Sequence, residues 1–259
     1  MNPNTFMVEK PCPVCLKTTR VIKTRSRIPV EKTDEDHCIH YKDFNPYYYT
    51  IWICEHCGFA ADEKNFLKKL PDRVRKILWD YLSRKQFDIE FNEERDLPDA
   101  VASYRLAMNY LDMMKAPLSR KAAYSLQLAW IYRLSGEDGE FDEEEREYME
   151  KAAELYDLSV STEHYPVGSL TDSGALYLVG AIYYRLGDLE KCAQHLSRLI
   201  GDNTLRSREP KVYDEARDLW GDVRALQAKQ NKAAEKNAQA NVRKSVGLKT
   251  PAQGSPRRR

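Results

Sequence analysis

Two textures of apolar patterning divide the chain. Up to about residue 62 the apolar positions come in short β-branched and aromatic runs. Thr18–Thr24 holds Val21 and Ile22, and Tyr47–Ile53 holds three tyrosines, Ile51, Trp52 and Ile53. Both runs predict strands. After Ala61 the apolar period becomes helical. Behind Pro71, Val74, Ile77, Leu78, Tyr81 and Leu82 share one face. A polar break at Asn92–Pro98 precedes helices expected over Asp99–Met114, Ser119–Leu134, Glu140–Ser159, Asp172–Leu186, Asp188–Ile200 and from about Pro210. Turn residues such as Pro117, Gly136, Pro166, Gly187 and Gly201 fall between them. The expected fold class is α+β by segment. A β-rich module occupies 1–62, a helical connector 63–97, an all-α domain of helix pairs 98–228, and a basic, largely disordered tail 229–259.

The most specific pattern lies in the β-rich part. Cys12-Pro-Val-Cys15 is followed by 38 residues and then by Cys54-Glu-His-Cys57-Gly58. Two cysteines three apart on a hairpin tip aim both sulfurs one way and supply half a tetrahedron. Two such pairs, Cys12 with Cys15 and Cys54 with Cys57, predict a structural Zn2+ site of zinc-ribbon type. Closing the intervening loop costs about 3 kcal/mol plus a constant. A structural zinc supplies on the order of 10–16 kcal/mol, so the module is expected to need its metal to fold. Iron and a redox dithiol are the competing uses of such pairs. Gly58 suits a turn with positive φ, whereas the matching position of the first pair is Leu16. Cys38 and Cys192 read as buried small hydrophobes. His37 and His40 beside Cys38 leave a second ion open.

Charge alters this picture only at the end of the chain. The net charge of 259 residues is +1. From Lys229 to Arg259 nine basic residues face Glu235 alone, a balance of +8, so the remainder carries 1 − 8 = −7. No run of about 18 apolar residues suggests a membrane span. The N-terminal residues lack a basic-then-apolar layout, so a cytoplasmic setting with reduced thiols is expected. No phosphate-binding glycine loop, nucleophile elbow or H-E-x-x-H is present, and a non-catalytic protein without a small-molecule substrate is expected.

Within the helices, Trp130-Ile131-Tyr132-Arg133-Leu134 is echoed by Ile182-Tyr183-Tyr184-Arg185-Leu186. Around the second copy, Leu176, Val179, Gly180, Tyr183, Cys192 and Leu196 fall at offsets 0, 3, 4, 7, 16 and 20. That spacing resembles the tetratricopeptide repeat, a helix–turn–helix unit. The resemblance would place Tyr132, Arg133, Tyr184 and Arg185, with Tyr177 and Ser125, on the inner face of a groove. Arginine forks beside tyrosines suit an acidic peptide segment or a C-terminal carboxylate of a partner protein. The competing reading makes the tyrosines packing and pairs the arginines with Glu143–Glu145. A different partner is conceivable at the other end. In a strand Lys23, Arg25 and Arg27 would share a face, and with the basic tail they could meet nucleic acid, with Tyr47–Tyr49 and Trp52 for stacking.

Cys12-Pro-Val-Cys15, the Asp34…Tyr41…Asn45-Pro46…Tyr49 segment, Cys54–Cys57-Gly58-Phe59-Ala60-Ala61, Ala129–Arg133 and Tyr183–Gly187 together resemble one family. It is the bacterial domain-of-unknown-function family 2225, which joins a zinc-ribbon-like start to tetratricopeptide-like helices. The resemblance spans roughly residues 5–225 and implies an architecture rather than an activity. The leading expectation is a protein–protein adaptor, with a nucleic-acid binder as the alternative.

Overall fold

The structure is a computed structural model that describes residues 3–85, 94–136 and 139–246. Its N-terminal part is three antiparallel hairpins. β1 (Thr5–Pro11) pairs with β2 (Thr18–Thr24) in the register Thr5↔Thr24 to Pro11↔Thr18. β3 (Val30–Thr33) pairs with β4 (Ile39–Tyr41), and β5 (Ile51–Ile53) with β6 (Ala60–Asp62). The run expected as one strand over Tyr47–Ile53 is split. Pro46–Tyr49 forms a 3₁₀ turn, capped by the Asn45 side chain, which accepts from the Tyr47 N–H at 3.1 Å. Proline's fixed φ and the asparagine cap outweigh the β-preference of three tyrosines, leaving only Ile51–Ile53 extended.

Nine helices follow among the described residues: α1 (Glu63–Phe66), α2 (Asp72–Leu82), α3 (Leu97–Met113), α4 (Leu118–Arg133), α5 (Asp142–Thr162), α6 (Asp172–Arg185), α7 (Leu189–Ile200), α8 (Leu205–Arg208) and α9 (Pro210–Val246). Four start on a side chain that accepts from a backbone N–H three residues on, at Asp62, Asp96, Thr171 and Asp188. Helix α9 takes in residues 229–246, so the first part of the basic tail continues the last helix. Its run of Ala, Lys, Gln and Glu has the propensity to continue the helix. Residues 247–259 of that tail, and Asn92 and Glu93 of the expected polar break, lie outside the described residues.

One continuous apolar core joins the two parts, from Val14 and Trp52 through Tyr104, Leu128 and Ile131 to Ile182, Leu196 and Val223. Helix α4 packs on α5, and α6 on α7. Gly180 makes the second of these contacts close, because a Cβ there would lie 3.1 Å from Leu196 Cδ2. Helices α3 and α4 hold the third hairpin. Tyr110 donates its hydroxyl to Gly58 O at 3.1 Å, and Tyr124 donates to Asp62 Oδ2 at 2.6 Å. Among the described residues no helix is long and apolar enough to cross a membrane.

Candidate metal centre

The tips of the first and third hairpins are the two C-x-x-C turns, and they are built alike. In the first, the Cys12 N–H donates to Lys17 O at 2.9 Å and the Leu16 N–H to Cys12 O at 3.0 Å. In the second, the Cys54 N–H donates to Phe59 O at 2.9 Å and the Gly58 N–H to Cys54 O at 2.8 Å. Both turns need a left-handed residue after the second cysteine. Gly58 supplies it at φ 72°, and Leu16 adopts the same conformation at φ 64° despite its Cβ. The Val14 N–H points at Cys12 Sγ from 3.4 Å, as suits a thiolate.

The turns meet face to face. Cys12 and Cys57 Sγ lie 3.7 Å apart, Cys15 and Cys54 Sγ also 3.7 Å, and all four sulfurs fall within 4.8 Å of one another. Sulfurs tetrahedrally placed about 2.3 Å from a metal ion would be spaced by about 3.8 Å, so the cluster could hold one. Three of the cysteines are buried and Cys15 is half-buried. Hydrogen bonding with Cys54 pushes the Cys12 thiol up to about 12, and bonds with Cys12 and Cys54 push Cys57 higher still. The same contacts pull Cys54 down. Four sulfurs this close resist ionising together, so four thiolates call for a cation at their centre. His56 is turned away, its Nε2–H donating to Thr18 O at 2.8 Å.

The pairing of these knuckles with the helices behind them extends over most of the chain, and a family model matches residues 7–223. The chain belongs to the family of uncharacterized proteins conserved in bacteria, DUF2225. No curated protein and no solved structure matches it.

Between the knuckles this member of the family carries a second polar centre, at the tip of the β3–β4 hairpin. Arg133 of α4 reaches Asp36 with both terminal nitrogens (3.0 and 2.8 Å), Asp34 Oδ2 with Nη1 (3.0 Å) and Glu145 of α5 with Nε (2.7 Å). Trp130 Nε1 donates to Asp36 Oδ2 at 3.0 Å, and Tyr177 of α6 donates to Glu35 O at 2.9 Å. Arg185 stands 3.8 Å from Asp34 and 3.6 Å from Glu145. Burial alone would raise the Asp34 carboxyl, but the His40 hydrogen bond and the charges of His40 and Arg133 hold it at about 2. Asp36 is likewise held below its ordinary value, against its burial, by Arg133 and Trp130.

The groove expected around Tyr132, Arg133, Tyr184 and Arg185 is corrected accordingly. Arg133 is 8% exposed and spent on three carboxylates, and Tyr132 is buried against Tyr148 at 5.8 Å between ring centroids. Tyr184 is half-buried, and Arg185 is the most exposed of the four. The arginine–tyrosine chemistry does meet an acidic segment, but that segment is Asp34–Asp36 of the same chain, 97 residues before Arg133. The charge run Asp34-Glu35-Asp36 was the available signal. Spacing could not say that it folds back so far.

Asp34, Cys38 and His40 also lie within 4.8 Å of one another. Asp34 Oδ2, however, already accepts from His40 Nε2 and Arg133, and burial pushes the Cys38 thiol up to about 12. That group reads as part of the charge lock. The basic strand face is corrected as well. β2 ends at Thr24, so Arg25 and Arg27 lie beyond the period-two argument. Lys23 pairs with Glu63 at 2.6 Å, Arg25 donates to Pro3 O at 2.8 Å, and Arg27 is exposed. Tyr47, Tyr49 and Trp52 are buried rather than available for stacking.

Proposed function

We propose that the chain is a zinc-stabilised, non-catalytic adaptor. The carrying observation is the pair of matched C-x-x-C turns whose sulfurs approach at 3.7 Å. Zinc is the ion that such a closed four-sulfur set suits best, and four thiolates leave no coordination position for activating water. Tetratricopeptide-like helix pairs behind the knuckles would then offer the rigid surface on which another protein docks. The reading is supported by how firmly α3 and α4 grip the third hairpin, which makes knuckle and helices one body. A nucleic-acid role has less support, because Lys23 already has a carboxylate partner and Trp52 is 2% exposed.

Two measurements test this reading. Elemental analysis of the purified chain should find one zinc per molecule, reduced to a trace in Cys54→Ser. Iron in its place, or no metal, defeats the zinc assignment. Affinity capture from the native cell, with and without nuclease, should retain a protein partner in both samples. Loss of everything bound on nuclease treatment would instead favour the nucleic-acid alternative.

A further inference from the structure

Leu16 is costly to its own turn twice over. Its φ of 64° is one that glycine fills without strain at the matching position, and its side chain is 64% exposed. The leucine stands at the mouth of a cleft of about 350 Å³ between the first knuckle and the α1–α2 junction. Across the mouth Leu67 is 48% exposed, and buried Phe66 is part of the lining. The rim carries Lys68, Lys69 and Arg75 against Asp72, a balance of 3 − 1 = +2. None of these four makes an ion pair among the described residues. One turn beyond Arg75, on the same face of α2, Trp79 is 43% exposed. Single exposed apolar residues are ordinary, but two leucines and an indole along one cleft and its adjoining helix face form a patch. Tryptophan and arginine are enriched at interfaces, as Trp79 and Arg75 would be here, while the two lysines suit a charged rim.

We propose that this cleft is the adaptor's docking site, and that its occupant is an acidic, apolar peptide segment of another protein. The proposal rests on the adaptor reading and gives it a location. Apolar residues of the segment would seat between Leu16 and Leu67, and its carboxylates would meet Lys68, Lys69 and Arg75. Within the cleft the exposed apolar groups are aliphatic leucines, which offer bases little to stack on, and Trp79 stands on the adjoining helix face outside the lining. Both facts disfavour nucleic acid in the cleft itself. The chain's own C-terminal stretch is excluded by charge, since nine of its residues from Lys229 onward are basic and one is acidic.

The test is selection of random peptides of about twelve residues, displayed on phage, against the zinc-loaded full-length chain. Enriched peptides should combine Asp or Glu with Leu, Phe or Trp. Their affinity should fall about tenfold in Leu16→Gly/Leu67→Gln and should weaken again in Lys68→Glu/Lys69→Glu. Unchanged zinc content and melting temperature in both variants would show that each still folds. Absence of enriched acidic-apolar peptides, or equal binding to the variants, overturns the proposal. So does concentration-dependent dimerisation abolished by the leucine changes, which would give the face to a second copy. A captured cellular partner that binds both variants as well as the parent would leave the adaptor reading standing and the cleft refuted. No captured protein at all would remove the adaptor reading itself.

Discussion

Arg133 and Arg185 stand one repeat-like motif apart, yet their surroundings give them different weights. Arg133 is 8% exposed, and its loss would strand the buried carboxylate of Asp36 and leave Asp34 to His40 and Lys32. Arg133→Ala should therefore destabilise by about 3–5 kcal/mol. Arg185 is 29% exposed and holds its partners at 3.6–3.8 Å, so Arg185→Ala should cost about 1 kcal/mol or less. Urea midpoints of the two variants would check the contrast, and equal losses would contradict it. His195 offers a second residue-level prediction. It is buried, stacked on Tyr183 at 5.8 Å, and burial lowers its pKa. The unfolded chain then takes up the proton first, near the ordinary value of about 6.5. Stability from the neutral ring is present above that pH and declines as pH falls below it toward the folded value. Unfolding midpoints at pH 7.5, 6.5 and 5.5 should show this slope in the parent and a flatter one in His195→Phe.

Among the elements, the two knuckles are one turn made with two residues. Leu16→Gly should relieve a left-handed side chain while loosening the unfolded chain, leaving stability unchanged or raised by at most about 1 kcal/mol. Calorimetry would detect a loss, which would mean that the leucine supports its own fold. Gly180→Val, where the helices α6 and α7 touch, should cost about 1–3 kcal/mol by overpacking. Periodicity made these elements legible to differing degrees. The helices α4, α6 and α7 lie within a residue or two of their expected bounds, because apolar spacing and flanking turn residues agree there. The knuckles were legible from cysteine spacing. The 3₁₀ turn at Pro46–Tyr49 was not, since β-propensity and a local cap compete and only the folded chain decides. The charge lock was legible only in its Glu145 arm, which the acidic run at the start of α5 offered to both arginines. Its Asp34 and Asp36 arms are brought in by the fold, not by any local pattern, and an arginine beside tyrosines looks the same whether its acid comes from this chain or another.

For the molecule as a whole, continuity of the core makes the four-cysteine cluster a support for the helices. Tyr110 holds Gly58 O, and Arg95 holds Tyr48 O at 2.9 Å and Ile51 O at 2.8 Å. Removal of the proposed zinc should therefore raise amide hydrogen exchange in α3 and α4 as well as in the hairpins. Protection unchanged in those helices would mean that the two parts are energetically separate. The grip on Asp34–Asp36 also sets an order in time. All four cysteines are available once Cys57 has been made, but Tyr177, which holds Glu35, comes 120 residues later. At about 5–20 residues per second the ribosome needs roughly 6–24 s to cover that interval. The hairpin between the knuckles spends the first part of it with its acidic tip in solvent, until Arg133, 76 residues after Cys57, has been made to neutralise it.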